Sequence, residues 1–300
     1  MDGLLLVDKP AGWTSHDAAA YIRKTLWIKR VGHTGTLDPD ATGLILVLIG
    51  KATRLARYFD LDKKGYSTVM ELGSETDTED ASGQVTLECP VPELEPVQAE
   101  EVFRKFTGEI EQVPPMYSAV KVGGERLYKK ARAGEEVERA PRKVFIEELR
   151  LTGIAGPLVS FEAVCSKGTY IRTLCRDLGK ALGSCAHMRS LSRTKVGDYL
   201  VQDALGLSER PSKEEIAARI IPMRDMLQGV ASAVVAGEAA SGIMNGISPS
   251  TEGFITMPEG IGTGRPVRLL DELGCLLAVG ESSESLEEGV APVKLKVVFN

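Results

Sequence analysis

Three hundred residues, 43% hydrophobic and 26% charged, suffice for one large core and a second, smaller one. No apolar run approaches the roughly 20 residues of a membrane helix, and MDGLLLVDKP lacks a basic head and meets Asp8 after a short apolar run, so neither a spanning segment nor a secretory leader is expected. The formal net charge of −6 argues weakly against nucleic acid until the charges are placed along the chain.

In chain order, GLLLVDKP reads as a buried strand, and Thr14 or Ser15 caps the helix suggested by DAAAYIRKTL. LILVLIG (44–50) is an apolar strand, KATRLARYF a short basic helix, and GYSTVMELG an alternating strand. AEEVFRKFTG is a helix ended by Gly108, VFIEELRLTGI and LVSFEAVCS form a hairpin pair, and YIRTLCRDLGKALG repeats Ile171, Leu174, Leu178 and Leu182 at helical spacing. Helical signal stops near IPMRDMLQG. The Gly-rich remainder carries short strand-like runs (GFITMPEG, PVRLLDELGCLLAVG, VKLKVVFN), the pattern of a small β domain. Strands and helices do not alternate strictly, which points to an α+β fold with a mostly antiparallel central sheet flanked by helices; the domains expected are 1–229 and 230–300. The cysteines (Cys89, Cys165, Cys175, Cys185, Cys275) are scattered, form no CxxC pair, and with three histidines offer no metal-ligand spacing, so the expectation is a reduced, cytoplasmic protein without structural zinc.

Charge is segregated. Residues 71–101 hold ten acids and no Lys or Arg, residues 167–195 hold seven bases against Asp177 alone, and residues 121–143 hold eight bases against four acids. Because a polyanion feels local potential within a Debye length of about 10 Å, an acidic protein can still present a basic face to phosphates. The other reading of each cluster is a solvated face that binds nothing.

The stretch VGHTGTLDPDATG (31–43) sets Asp38 among glycines, a proline, an imidazole and hydroxyls. Gly32, Gly35 and Gly43 permit left-handed backbone and close approach, while Pro39 biases Asp38 toward extended geometry, so a stiffened loop presents one carboxylate. An LDP tripeptide is equally compatible with a turn-capping aspartate. A phosphate-binding loop is excluded at G-LILVLI-GKAT, which has six residues between its glycines where four are needed and Ala52 where a hydroxyl should stand. Asp38-Pro-Asp40-Ala-Thr42 also fits the DxDxT pattern of Mg²⁺-dependent aspartyl-phosphate phosphatases, which want an apolar strand running straight into the first Asp; here GHTGTL precedes it.

GHTGTLDPDATGLI resembles the signature loop of the TruB family of tRNA pseudouridine synthases. So do, in the family's order, GLLLVDKPAGWTS, KKGYSTVMELGSETDTEDASG, PPMYSAVKVGGERLYKKAR, GTYIRTLCRDLG and LSRTKVGDY, covering about residues 3–200. The resemblance implies a pseudouridine synthase fold with a PUA-like RNA-binding domain over the last 70 residues. It also implies isomerisation of uridine at position 55 in the tRNA T-loop, on an extruded base, without cofactor or metal, by a monomer whose partner is tRNA. Asp38 is implied as the catalytic residue, nucleophile or base. Tyr66 is implied to pack on the base, His33 to contact substrate, Arg172 to pair with Asp38 and keep it ionised, and Tyr170 and Leu191 to line the uracil pocket. Taken singly, Tyr66 is compatible with a strand tyrosine, His33 with a turn histidine, Arg172 with a surface arginine, and Tyr170 and Leu191 with core. Lys9, Pro10, Ser118 and Lys121 match as well, as loop-shaping or RNA-contacting residues. The acidic 71–101 segment is expected to face away from RNA, although TDTED follows the Tyr66 strand directly. A non-catalytic tRNA-binding or tRNA-folding protein is the alternative from another class.

Overall fold

The computed structural model describes residues 1–59, 63–135, 137–258, 260–283 and 291–300; Glu136 of the 121–143 cluster and Glu259 of GFITMPEG lie outside them. GLLLVDK is apolar on both faces because both are covered: Leu5 and Val7 point into one core and Leu4 and Leu6 into another. This strand, Gly3–Lys9, pairs antiparallel with Thr42–Ile49 in unbroken register, Gly3 opposite Ile49 and Lys9 opposite Gly43. Lys9 is thereby delivered to the foot of the Asp38 loop.

The 11-stranded main sheet runs Leu205–Gly206, Gly3–Lys9, Thr42–Ile49, Ala186–Val196, Lys64–Leu72, Leu158–Cys165, Arg142–Ala155 and Gly108–Gln112, with Val31–Thr34 beside Thr42–Ile49. Along that path only the pairings of Gly3–Lys9 with Leu205–Gly206 and of Thr42–Ile49 with Ala186–Val196 are parallel. The fold is α+β as expected. On one face the helices Ser15–Leu26, Pro96–Lys105 and Ile171–Ala181 close the larger core, where Phe103 meets Phe161 edge-on at 5.5 Å between ring centroids.

The strand Ala186–Val196 was not legible as one. AHMRSLSRTKV carries four basic or imidazole side chains, and bulges between Met188 and Ser190 and between Arg193 and Lys195 break the alternation that marks a strand. KATRLARYF is a 3₁₀ segment, Gly50–Leu55, followed by one α-turn, Ala56–Phe59. The helix Pro96–Lys105 ends before Gly108, which opens the next strand at φ +98°.

A second sheet, in the order Phe254–Thr256, Ser232–Val235, Pro266–Leu270, Leu276–Ser282, Val293–Val298, forms the C-terminal β domain. PVRLLDELGCLLAVG is two strands reversed at Asp271, whose Oδ1 accepts from the amides of Leu273 (2.9 Å) and Cys275 (2.8 Å). An unforeseen helix, Gly237–Met244, covers this sheet through Ile243. Leu276, Val279, Val297 and Phe299 pack on Leu4, Leu6, Leu44 and Leu46, so the second sheet shields the back of the first at those two strands. Arg268 donates to the carbonyls of Val230 (3.0 Å), Met226 (3.3 Å) and Arg224 (3.4 Å), tying the C-terminal sheet to the segment that leads into it.

The expectation of five reduced thiols is corrected: Cys89 and Cys185 form a disulfide with Cα atoms 5.7 Å apart, closing 96 residues. Gly73 brings them together, its amide donating to the Cys185 carbonyl (2.8 Å) and its carbonyl accepting from the Cys89 amide (2.9 Å). Spacing along the chain carries no trace of that pairing. Cys165 and Cys175 are buried thiols and Cys275 is exposed.

Of the three loop glycines, Gly35 (φ +64°) and Gly43 (φ +97°) adopt left-handed backbone and Gly32 does not; a Cβ on Gly32 would meet only Thr53, at 3.9 Å. Gly43 lies against the parallel strand, where a Cβ would stand 2.3 Å from the Arg193 carbonyl oxygen. Gly43→Ala combines that clash with backbone strain and should lower unfolding free energy by about 2 kcal/mol or more. Urea melts should show a reduced midpoint at unchanged slope, and a midpoint equal to wild type would contradict the close approach.

Candidate active site

Thr14 and Asp17 form a reciprocal capping box at the start of Ser15–Leu26, which frees Ser15 for another task. Ser15 Oγ accepts from the Leu37 amide (2.9 Å) and donates to its carbonyl (3.3 Å), fixing the residue before Asp38. From beneath, the fully buried Lys9 donates its ammonium to the carbonyls of Pro10 (2.9 Å), Trp13 (2.6 Å) and Pro39 (2.9 Å), and burial pushes its pKa down to about 8. Arg193, also buried, donates to the carbonyls of Leu44 (2.6 Å) and Gly35 (2.8 Å) and bonds the Tyr66 hydroxyl. The loop is thus gripped at Gly35, Leu37 and Pro39, either side of Asp38.

Arg172, on the first turn of Ile171–Ala181, meets Asp38 side-on: Nε is 3.1 Å from Oδ2 and Nη2 donates to Oδ1 at 3.4 Å. Its other donors go to the carbonyls of Thr78 (3.1 Å) and Tyr117 (2.9 Å), with Asp80 Oδ2 at 3.7 Å from Nη1. The arginine side chain is 8% exposed and that of Asp38 39%, so the carboxylate opens outward while its partner is enclosed. Burial raises the Asp38 pKa above its ordinary 3.8, and Arg172 opposes the rise without outweighing it.

Two cavities share Asp38 as a wall. The outer cleft, about 890 Å³, is lined among others by Thr78, Asp80, Tyr117, Ser118, Arg126, Tyr128 and Arg189. The inner recess, about 120 Å³, is lined by Thr36, Leu37, Asp38, Tyr66, Thr169, Tyr170, Ile171, Arg172 and Leu191. Such a recess is far below the roughly 300 to 1,000 Å³ of drug-sized sites and suits one small ring. Asp38, Tyr66, Tyr170, Arg172 and Leu191 therefore converge. His33 does not: it lies on Val31–Thr34 opposite Val47, half-buried outside both linings, and burial lowers its pKa. Burial also holds the Tyr66 hydroxyl protonated at neutral pH, its pKa pushed up to about 12.

Sequence reasoning missed several supports. Gln112 clamps the Tyr170 backbone, Oε1 accepting from the amide (3.1 Å) and Nε2 donating to the carbonyl (3.3 Å), with nothing but its place before two prolines to mark it. TDTED, left unexplained in sequence, supplies the Thr78 carbonyl and Asp80 to Arg172. The charge map gains internal pairs from the same region. Glu71 pairs with Arg189 (3.3 Å) and Glu75 with Lys180 (3.4 Å), while Glu79 pairs with Arg176 and Asp80 lies against Arg172, so these acids partner four bases of the 167–195 cluster. Lys121 lies outside both linings, whereas Ser118 Oγ is buried at the cleft wall without a hydrogen-bond partner among the described residues.

A solved structure titled as a Cbf5-Nop10-Gar1 complex superposes on this chain with a TM-score of 0.77 at 26% identity, covering 99% of this chain and 85% of that one. Another, titled as the archaeal box H/ACA sRNP Nop10-Cbf5 complex, gives 0.75 at 25% identity, covering 99% and 86%. The fold, with an aspartate–arginine pair at a ring-sized recess, is that of a pseudouridine synthase. The model of the TruB family pseudouridylate synthase N-terminal domain matches residues 23–171, and that of the tRNA pseudouridylate synthase B C-terminal domain matches residues 172–234. Proteins named tRNA pseudouridine synthase B are similar along most of the length: the one from Thermobifida fusca is 41% identical over 96% of this chain and 97% of its own. That from Geobacter sulfurreducens is 39% identical over the whole of both, and that from Symbiobacterium thermophilum 43% over 83% of this chain and 84% of its own. The chain belongs to the TruB family of pseudouridylate synthases.

Because the fold raises the Asp38 pKa, this carboxyl's contribution to stability is full below pH 3.8 and is lost as pH rises through the folded value. At pH 7 its ionised form is a net cost. Asp38→Asn should therefore melt no lower than wild type at pH 7, the difference closing in acid, as read by thermal melts from pH 4 to 8. A variant that melts well below wild type at pH 7 would mean that Arg172 outweighs burial.

Proposed function

We propose that this protein converts uridine to pseudouridine at position 55, in the T-loop of tRNA, with Asp38 as the catalytic residue. The single observation that carries the reading is a part-open carboxylate, held side-on by a buried arginine, at the common wall of a wide cleft and a recess sized for one ring. The reaction breaks the bond from ribose C1′ to N1 of uracil, turns the base and rejoins C1′ to C5; the C5 hydrogen leaves as a proton and N1 gains one, so it is redox-neutral and cleaves no phosphate. Asp38 acts either as nucleophile on C1′ or as the base that opens an elimination to a glycal, and both start from the ionised carboxylate.

A uridine must leave its stack to reach this carboxylate. Tyr66 offers its ring to the extruded uracil, Tyr170 and Leu191 close the recess around it, and Arg172 orients Asp38. His33, outside the recess, contacts the RNA from the rim as a neutral imidazole. Exposed cations on residues 23–57 (Arg23, Lys24, Lys29, Arg30, Lys51, Arg54, Arg57) and the 121–143 cluster receive phosphates, since much of the 167–195 cluster is engaged internally. We assign residues 1–229 to catalysis and the PUA-like sheet of 230–300 to RNA binding, in a cytoplasmic monomer. The phosphatase alternative gains no support, because the strand before Asp38 stops at Thr34.

An unmodified tRNA transcript labelled with tritium at uridine C5 should release label to water on incubation with the protein. Binding without release would favour the non-catalytic alternative. Asp38→Asn should bind this RNA and lose nearly all release. Residual turnover within about tenfold of wild type, a barrier change of only about 1.4 kcal/mol, would sink the assignment of Asp38.

Base stacking on an aromatic is worth about 1 to 3 kcal/mol. Tyr66→Leu should therefore cost at least roughly tenfold in turnover at saturating tRNA with affinity little changed, because most affinity comes from phosphates elsewhere. Tyr66→Phe keeps the ring, so an equal loss there would place the hydroxyl in the chemistry. Wild-type turnover by both would return Tyr66 to the core.

A further inference from the structure

We propose that Glu79, Arg176 and Thr173 form a positioning cluster that holds the Arg172 guanidinium, and through it Asp38, in the orientation that isomerisation requires; this rests on the function proposed above. Glu79 is flanked by the two residues that meet Arg172: the Thr78 carbonyl accepts from Nη1 at 3.1 Å, and Asp80 Oδ2 stands 3.7 Å from the same nitrogen. Adjacent Cα atoms are about 3.8 Å apart, so fixing residue 79 fixes both contacts closely.

Residue 79 is held at unusual cost. Its backbone is left-handed at φ +62°, a conformation a non-glycine side chain adopts only where its surroundings over-determine it. Its carboxylate is buried, Oε1 accepting from Arg176 Nη1 and Oε2 from the Thr173 hydroxyl at 2.7 Å. A buried ion pair contributes little net stability against an apolar replacement; its distinctive property is a narrow geometry. Both partners stand on the helix that carries Arg172, Thr173 next to it and Arg176 one turn further on. Arg176 is itself steered by Asp177, whose Oδ1 accepts from Nε (3.0 Å) and Nη2 (2.9 Å), leaving Nη1 for Glu79. The cluster therefore locks the 76–82 turn to the Arg172 helix side chain to side chain. Its rival is the backbone attachment of the same turn to the strand Ala186–Val196, where the Met188 amide donates to Glu79 (3.0 Å) and the Ala81 amide donates to Met188 (3.0 Å).

The two supports are separated by single-turnover tritium release from C5-labelled tRNA at saturating enzyme, between pH 4.5 and 8, with RNA affinity by filter binding and melting temperature measured in parallel. If the cluster positions Arg172, Glu79→Ala and Arg176→Ala each slow release at least about tenfold while affinity stays within about twofold. The double variant is no slower than the worse single one, because both single changes break the same ion pair. The acidic limb of the rate moves to higher pH, since Asp38 loses part of the cation that pulls its pKa down. The other charges facing Asp38, namely Lys9, Asp80 and Asp40, are unchanged in these variants. Thr173→Val, which removes one hydrogen bond at nearly constant volume, and Glu79→Gln shift the same limb less; they decide the matter if the alanine variants do not fold. Rates and acidic limbs like wild type, or rate losses that follow melting temperature with no movement of the limb, overturn the cluster's role and leave the backbone attachment sufficient. A wild-type protein that releases no tritium overturns the proposed function and the cluster's role with it.

Discussion

Arg172 has to satisfy a planar, five-donor cation away from water, and the way it does so sets the rest of the site. The Thr78 carbonyl takes Nη1 and the Tyr117 carbonyl one hydrogen of Nη2, which leaves Nε and the other Nη2 hydrogen for a single carboxylate. Asp38 can meet that edge only if its loop is placed independently, and two further buried cations do this by hydrogen-bonding loop carbonyls: Lys9 at Pro39 and Arg193 at Gly35. Each cation loses hydration on burial, and each recovers part of it from backbone oxygens whose positions it thereby fixes. The carboxylate is thereby held in one orientation by groups of the protein alone.

Seen linearly, the acidic run 71–101 and the basic run 167–195 suggest two opposed surfaces. In the folded chain the first part of the acidic run, Glu71 to Asp80, supplies counterions to Arg172, Arg176, Lys180 and Arg189. The strand Lys64–Leu72 pairs with Ala186–Val196 and sets Glu71 beside Arg189, and the turn that follows brings Glu75, Glu79 and Asp80 to Lys180, Arg176 and Arg172. The exposed pairs contribute little to stability, but those around Arg172 and Arg176 are enclosed and directional. Net charge is consequently a poor guide to the field an RNA would meet, because a good part of the acid is already matched inside the protein.

Much of this was legible in the sequence. Where local rules suffice, as in the Thr14-Ser-His-Asp17 box, the apolar Gly3–Lys9 strand or the regular spacing of Ile171, Leu174 and Leu178, the elements lie where the pattern puts them. The Asp38 loop was recognisable because its glycines, proline and hydroxyls cluster within a few residues. What escaped depends on partners remote in sequence. Gln112 acts on Tyr170 across 58 residues, Arg193 on Leu44 across 149, and Cys89 on Cys185 across 96, and none carries a local sign of its partner. Ala186–Val196 escaped because its bulges scramble the alternation, and Gly237–Met244 because glycines and small residues blur its apolar stripe.

The back of the main sheet is shut away from solvent at the strands Gly3–Lys9 and Thr42–Ile49. Leu4, Leu6, Leu44, Leu46 and Leu48 are covered by Val279, Val297 and Phe299 of the second sheet, and Arg268 ties that sheet to the connecting backbone at Arg224, Met226 and Val230. Such an arrangement makes the C-terminal sheet an architectural lid over a shared oily layer, not a tethered module free to search. Heat absorption on unfolding should then fall in one cooperative peak, because neither half can open without wetting the leucines of the other. Shortening the chain before Val230 would leave a catalytic remnant with a sticky reverse face, prone to self-association before its chemistry could be measured.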